Sequence, residues 1–144
     1  MVAGEKPMKK NAIHIIDVTN RDGVQTARLG LAKLEKTIIN INLNKLGVYQ
    51  SELGFPTTKH ERNYINANIE LMEIGVLTPI ILSGWLRATC KDVESAFEIT
   101  NIKHLNLSIP TSEQMIQSKF YGRETCEDIL HIMTEAVDKA KSLG

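Results

Sequence analysis

The run Asp17-Val18-Thr19-Asn20-Arg21-Asp22-Gly23-Val24-Gln25 gathers several side chains able to do chemistry within a few positions of one another. Asp22 offers carboxylate oxygens to a hard divalent cation. Arg21 beside it can bind a carboxylate, or steady an enolate oxygen through a charge-assisted hydrogen bond. Gly23 lets the backbone turn sharply, and Gln25 carries both a donor and an acceptor. The same Asn-Arg-Asp-Gly wording is also ordinary turn chemistry with a surface ion pair. Residue types alone leave both readings open.

Positioning such a cluster needs a frame, and the rest of the chain supplies one. Four short runs rich in Ile, Val and Leu read as strands, at residues 13–18, 48–55, 77–86 and 104–109. This is the pattern expected of strands buried on both faces. Between and after them lie helical stripes: Leu34, Ile38 and Ile41; Ile65, Ile69 and Met72; Val93, Ala96 and Phe97; and Ile129, Ile132, Met133, Val137 and Ala140. Gly47, Gly75 and Gly144 follow three of these stripes and suit the left-handed position just past a helix. Thr57, Thr58 and Thr125 are candidate N-caps. Four β–α repeats predict an α/β fold with a parallel sheet and right-handed crossovers. An open doubly wound sheet fits, and so does half of a (β/α)₈ barrel, which needs about 250 residues in full. In both, the cluster around Arg21 lies at the C-terminal end of the first strand, where the loops of a parallel sheet converge on ligands. Gly144 falls where a further strand would begin, so the spacing reads the end of the chain as a cut between repeats.

Composition narrows the function classes. The 144 residues carry 17 Lys and Arg against 17 Asp and Glu. Without a basic excess the chain lacks the charge that nucleic acid or an anionic membrane surface requires. No apolar run approaches the roughly 20 residues of a membrane span. Residues 1–10 are charged and have no apolar signal segment. Cys90 and Cys126 stand in no metal-ligand or CxxC spacing, and each is expected to be a small apolar residue with a reduced thiol. These features give the expectation of a cytoplasmic protein.

The spacing of the motifs resembles that of the α-isopropylmalate and homocitrate synthase family. Arg21-Asp22-Gly23-Val24-Gln25 is followed, after ten further residues, by Lys36. The family usually has Leu where this chain has Asn20, and commonly Glu where it has Val24. Glu52-Leu53-Gly54-Phe55-Pro56 matches the family's Glu-x-Gly-Phe-Pro at the end of the second strand. Arg87-Ala88 follows the third strand. Ser108-Ile109-Pro110-Thr111-Ser112, with Lys119 beyond, closes the fourth strand and its loop. Within the family the wording is most similar to Re-type citrate synthases.

The resemblance covers roughly residues 12–144 and implies a pyruvate-carboxyltransferase-type barrel domain there, with residues 1–11 as an N-terminal tail. The implied fold is α/β, the N-terminal half (about four β/α units) of a TIM (β/α)₈ barrel. The implied reaction is a Claisen condensation of acetyl-CoA with a 2-oxo acid, oxaloacetate giving citrate or 2-oxoglutarate giving homocitrate. The implied cofactor is a divalent Mn²⁺ or Mg²⁺. By match, Asp22 is the metal ligand, and Arg21 and Glu52 are catalytic, the first stabilising negative charge and the second orienting groups. Gln25, Arg87, Ser108 and Thr111 are then substrate-binding. Bland readings stand beside these: Glu52 as a buried acid paired with Arg21 for structure alone, Arg87 as a solvated loop cation, and Ser108 and Thr111 as caps of a turn before a helix. Lys36 reads as a helix stem covering apolar surface.

The family completes its metal site with a His-x-His pair. The four histidines here, His14, His60, His104 and His131, contain no such pair, and His14 and His131 read as packing or surface residues. The expectation is therefore a chain inactive alone, needing a missing C-terminal barrel half or a homo-oligomer, and leaving its first and fourth strands as open edges. Two rivals remain: a hydroxymethylglutaryl-CoA lyase-like C–C lyase sharing Arg21, Asp22 and Glu52, and a non-catalytic small α/β module. The signature through Lys36 favours the synthase.

Overall fold

A computed structural model describes residues 13–144. Its elements run β1 (Ile16–Asp17), α1 (Lys33–Lys45), β2 (Gln50–Gly54), α2 (Lys59–Glu73), β3 (Ile81–Arg87), α3 (Cys90–Ile99), β4 (His104–Ser108), α4 (Glu113–Lys119) and α5 (Cys126–Leu143). The sheet is parallel throughout and its strands lie side by side in chain order, β1-β2-β3-β4.

Register sorts the side chains onto two faces. Glu52 stands level with Ser83, Trp85 with Asn106, and Arg87 with Ser108. Since side chains alternate along a strand, these residues share one face with Gln50. Ser51, Leu53, Leu82, Leu86, Leu105 and Leu107 share the other. That second face carries the core. Leu53 and Leu82 pack with Tyr64, Ile65 and Ile69 of α2. Leu86 packs with Val93 and Ala96 of α3 and Ala136 of α5. Asn40 of α1 meets Ser51 on this same face. Helices on one face and strands in unbroken chain order are the geometry of a barrel wall. A doubly wound sheet would reverse its strand order and carry helices on both faces.

The expectation of strands buried on both faces thus holds for β2, where all five residues are buried, and fails at the flanks. β1 shrinks from the expected six residues to two, since it pairs with β2 only at Ile16 and Asp17, and Ile13 and Ile15 are exposed. The helix ends follow the local chemistry. The hydroxyls of Thr58 and Thr125 accept from the backbone N–H of Glu61 and Asp128, and Gly47 and Gly75 take φ of +74° and +84° just past α1 and α2. α4 arises inside the stretch expected to be a loop. Its N-cap is Ser112, whose hydroxyl accepts from Met115 N–H, so neither Ser108 nor Thr111 caps it. Cys126 is exposed, not packed as a small apolar residue, because it opens α5; Cys90 is half-buried.

Leu53 is fully buried where β2 meets α2. Leu53→Ala should lower stability by about 2–5 kcal/mol, as cavity-forming core truncations do. A urea midpoint equal to that of the unchanged chain would show that the two-layer packing is drawn wrongly.

Candidate active site

The loop after β1 is wound tightly by backbone hydrogen bonds. The N–H groups of Arg21, Asp22 and Gly23 converge on the carbonyl of Val18 at 2.8–3.1 Å, and a short 3₁₀ turn covers Gly23–Gln25. Gly23 does not use its conformational freedom here. A Cβ at this position would lie 3.6 Å from Thr19 Cγ2, an ordinary contact. The turn therefore does not require the glycine that the sequence reading assigned to it.

This winding brings Arg21 over the strand ends. Its Nε donates to Glu52 Oε2 at 2.7 Å and its Nη1 to Asp22 Oδ1 at 2.8 Å. The guanidinium also sits 5.4 Å from the centroid of the Trp85 ring, within cation–π range. Glu52 is buried, and its second oxygen, Oε1, accepts from Asn106 Nδ2 at 2.6 Å. Asn106 in turn accepts from Gln50 Nε2 at 3.1 Å, and Gln50 also donates to Ser83 Oγ at 2.9 Å. One polar ladder thus crosses β2, β3 and β4 on the face away from the helices and ends at Arg21. Both oxygens of Glu52 are thus committed, one to the planar guanidinium of Arg21 and one to Asn106.

A second polar network lies behind the loop. Asn20 is fully buried, and its amide donates to the Lys36 carbonyl at 2.9 Å and to Asn40 Oδ1 at 2.8 Å. Asn40 also accepts from Ser51 Oγ and donates to Tyr64 Oη and Asn68 Oδ1, each at 2.9 Å. Burial pushes the Tyr64 phenol above its ordinary pKa, against the opposing pull of the Asn40 hydrogen bond. Among the described residues Asn20 Oδ1 is the one buried side-chain oxygen or nitrogen without a partner. Lys36 departs from the sequence reading: its ammonium is not out in water but buried, 3.2 Å from Glu61 Oε2 and 4.3 Å from the centroid of the Tyr64 ring. Gly54 makes room for this pair, since a Cβ there would collide with the Glu61 carboxylate.

Two cavities open on this side of the sheet. The smaller, about 240 Å³, is lined by Arg21, Gln25, Lys36 and Trp85 among others. The larger, about 810 Å³, is lined by Arg87, Ser108 and Thr111, and again by Trp85. The structure therefore brings Arg21, Glu52, Asp22 and Gln25 together, and places Arg87, Ser108 and Thr111 together beyond Trp85. Arg87 is held by both oxygens of Asp92, at 2.7 and 2.9 Å, which raises its pKa further. Asp22 is exposed, and its Oδ2 has no hydrogen-bond partner among the described residues. No three His, Cys, Asp or Glu side chains converge on a metal position among the described residues. His131 pairs with Glu135 on the surface, and the His14 ring lies tilted against Tyr49 with centroids 4.1 Å apart. Among the described residues no helix is long and apolar enough to cross a membrane.

The sequence reading missed Trp85, Asn106 and the Asn20–Asn40 pair. Asn106 carries a faint signal, the alternation His104, Asn106, Ser108 within a leucine-rich run. Asn40 carries another, one turn from Lys36 on the same helix face.

A model of the HMGL-like family matches residues 12–144. The chain belongs to the HMGL-like family. Its four β/α units are accordingly half of that superfamily's TIM barrel. A citrate (Re)-synthase of Dehalococcoides mccartyi is 61% identical over 133 residues, covering 92% of this HMGL-like chain and 32% of that protein. The 2-isopropylmalate synthase 2 of Caldanaerobacter subterraneus is 35% identical over 136 residues, 94% of this chain and 34% of that protein. A methylthioalkylmalate synthase 3 of Arabidopsis thaliana is 30% identical over 142 residues. The HMGL-like chain thus spans about a third of the length of the first two synthases.

Proposed function

We propose that the protein is the N-terminal barrel half of an acyltransferase condensing acetyl-CoA with a 2-oxo acid, oxaloacetate giving citrate or 2-oxoglutarate giving homocitrate. The observation that carries this reading is the 61% identity over 133 residues to a citrate (Re)-synthase. The Arg21–Glu52 pair at the strand ends supports it.

In such a condensation the acetyl methyl loses a proton, the resulting enolate attacks the ketone carbon, and hydrolysis of the thioester drives the reaction forward. Negative charge develops on the ketone oxygen as the new C–C bond forms. Arg21 is the group of this chain suited to meet that charge, because Glu52 and Asn106 fix its guanidinium before substrate arrives. Gln25, on the wall of the smaller cavity, offers its amide to the oxo acid. Arg87, Ser108 and Thr111 hold substrate on the other side of Trp85.

The divalent Mn²⁺ or Mg²⁺ expected of the family finds too few donors here. Asp22 contributes one free carboxylate oxygen, and Glu52 is spent on Arg21 and Asn106. A hard cation needs about six oxygens, so the described residues supply at most one ligand. Turnover therefore requires the remainder of the barrel, from a longer chain, a partner chain or a second copy.

Supplying the chain with the remaining two-thirds of the Dehalococcoides mccartyi synthase tests this directly. The chain alone should release no CoA thiol from acetyl-CoA with either oxo acid and Mn²⁺ or Mg²⁺, and the completed protein should. In the completed protein Asp22→Asn should lower metal-dependent turnover by more than about 100-fold, beyond the loss typical of outer-shell partners of a metal. Unchanged rates would remove Asp22 from the site.

A further inference from the structure

We propose that Asn20 is a positioning residue for the condensation, the anchor that fixes where Arg21 and Asp22 stand. This rests on the reading of the protein as a synthase half, and adds to it a residue that works without touching substrate.

The loop needs an anchor because its strand gives it little support. β1 is two residues long and pairs with β2 alone among the described strands. The backbone bonds that converge on the Val18 carbonyl fix the shape of the loop but tie it to nothing outside itself. The Asp17 carboxylate accepts from Thr19, within the same segment. Among the described residues, two side chains of the loop form hydrogen bonds beyond it, and they are neighbours in sequence. Arg21 reaches over the strand ends to Glu52. Asn20 reaches into the helical layer, to the Lys36 carbonyl and Asn40 Oδ1. The first is partly exposed and the second fully buried. One side chain is drawn in and the next is turned out, so a shift of Asn20 passes to Arg21 through a single peptide unit.

The choice of side chain is specific. Both N–H groups of the Asn20 amide are donated, and their two acceptors fix which way it faces. Its Oδ1 is then left without a partner in a fully buried position, on the wall of the cavity at Arg21 and Gln25. An unpaired buried oxygen is a cost that leucine, the residue usual in the family here, does not carry. Leucine would fill the space and supply neither donor. What asparagine adds is a pair of directional bonds to α1. That helix is itself tied to α2 and β2 through Asn40, which bonds Tyr64, Asn68 and Ser51. The anchor is therefore fastened to the packed two-layer frame, and a side chain so supported keeps the geometry that a reacting centre demands.

The test compares Asn20→Leu with Asn68→Leu in the chain completed with the remaining two-thirds of the Dehalococcoides mccartyi synthase. Both remove a buried amide from one network, but Asn68 bonds Asn40, Thr37 and Tyr64 and nothing in the loop. Asn20→Leu should lower kcat by about 10- to 100-fold while both KM values stay within about twofold, the pattern of a group misplaced in the transition state alone. Asn68→Leu should hold kcat within about twofold although its urea midpoint falls. Thr37→Val, which removes the hydroxyl that accepts from Asn68, is the milder control should Asn68→Leu fail to fold. Hydrogen exchange reads the anchor without turnover. The amides of Arg21, Asp22 and Gly23 should exchange about tenfold faster in Asn20→Leu and at the wild-type rate in the controls. Wild-type kcat in Asn20→Leu, an equal loss of kcat in a folded control, or unaltered exchange at the three loop amides would each overturn the proposal. Faster loop exchange in Asn20→Leu, with no condensation by the completed wild-type protein, would sink the synthase reading and leave the anchor standing. Condensation by Asn20→Leu at the wild-type rate would do the reverse.

Discussion

Asn40→Leu should destabilise the fold by about 4 kcal/mol or more, although leucine has the same number and branching of side-chain heavy atoms as asparagine. Asn40 uses its whole hydrogen-bonding capacity: two acceptor bonds, from Asn20 and Ser51, and two donor bonds, to Tyr64 and Asn68. All four partners are buried. Removing the hub strands four polar groups away from water, and each stranded group costs about 1–3 kcal/mol. Domains of this kind have only about 5–15 kcal/mol of stability in total. At a urea slope of about 2 kcal/mol/M the midpoint should fall by roughly 2 M. Asn42→Leu is the control on the same helix. Asn42 is exposed and donates only to the Ile38 carbonyl of its own helix, so its replacement should stay within about 0.5 kcal/mol. Equal midpoints for the two variants would show that the buried network carries no weight.

Arg21→Lys should lower turnover of the completed enzyme by roughly 100- to 1,000-fold, the loss seen when one preorganised donor is removed from a developing oxyanion. The charge survives this substitution, but the geometry does not. The guanidinium reaches Glu52 through Nε and Asp22 through Nη1 at once, while lying against Trp85. A single ammonium cannot span both carboxylates in one plane. Released from its second partner, Glu52 keeps only Asn106. Trp85 emission should shift in the same variant while its far-UV circular dichroism stays that of the wild type, which separates a moved cation from general unfolding. A rate within about threefold of wild type, less than 1 kcal/mol of barrier, would mean that Arg21 only braces the loop.

Much of this was legible in the residues. Alternation of β-rich runs with helical stripes placed β2, β3 and β4 and four helices, and Gly47, Gly75, Thr58 and Thr125 marked helix ends for local reasons that the tertiary structure leaves intact. The pairing of Glu52 with Arg21 was anticipated as a possible buried ion pair, and the structure has it. What stayed hidden has physical causes. α4 is seven residues long and buries only Ile116, too little for a periodic stripe. The polar ladder of Gln50, Glu52, Ser83 and Asn106 is spaced at every second residue inside runs whose leucines dominate the average, so the strands read as apolar on both faces. Lys36 and Asn40 are charged and polar residues on an inward helix face, where composition predicts solvent. Only the partners, Glu61 and Tyr64 for one and Asn20, Ser51 and Asn68 for the other, make that burial tolerable, and they come from distant parts of the chain.

The unbroken strand order β1-β2-β3-β4 has a consequence in time. Each strand hydrogen-bonds to the one made just before it, so among the described strands no pairing waits on residues synthesised later. About 30 residues separate the start of β2 from the start of β3, and a ribosome adding about 5–20 residues per second delivers such a unit in roughly 2–6 s. Loop closure and helix formation take microseconds or less. The sheet can therefore grow by accretion at the pace of translation, with each newly made strand finding a finished edge already waiting for it.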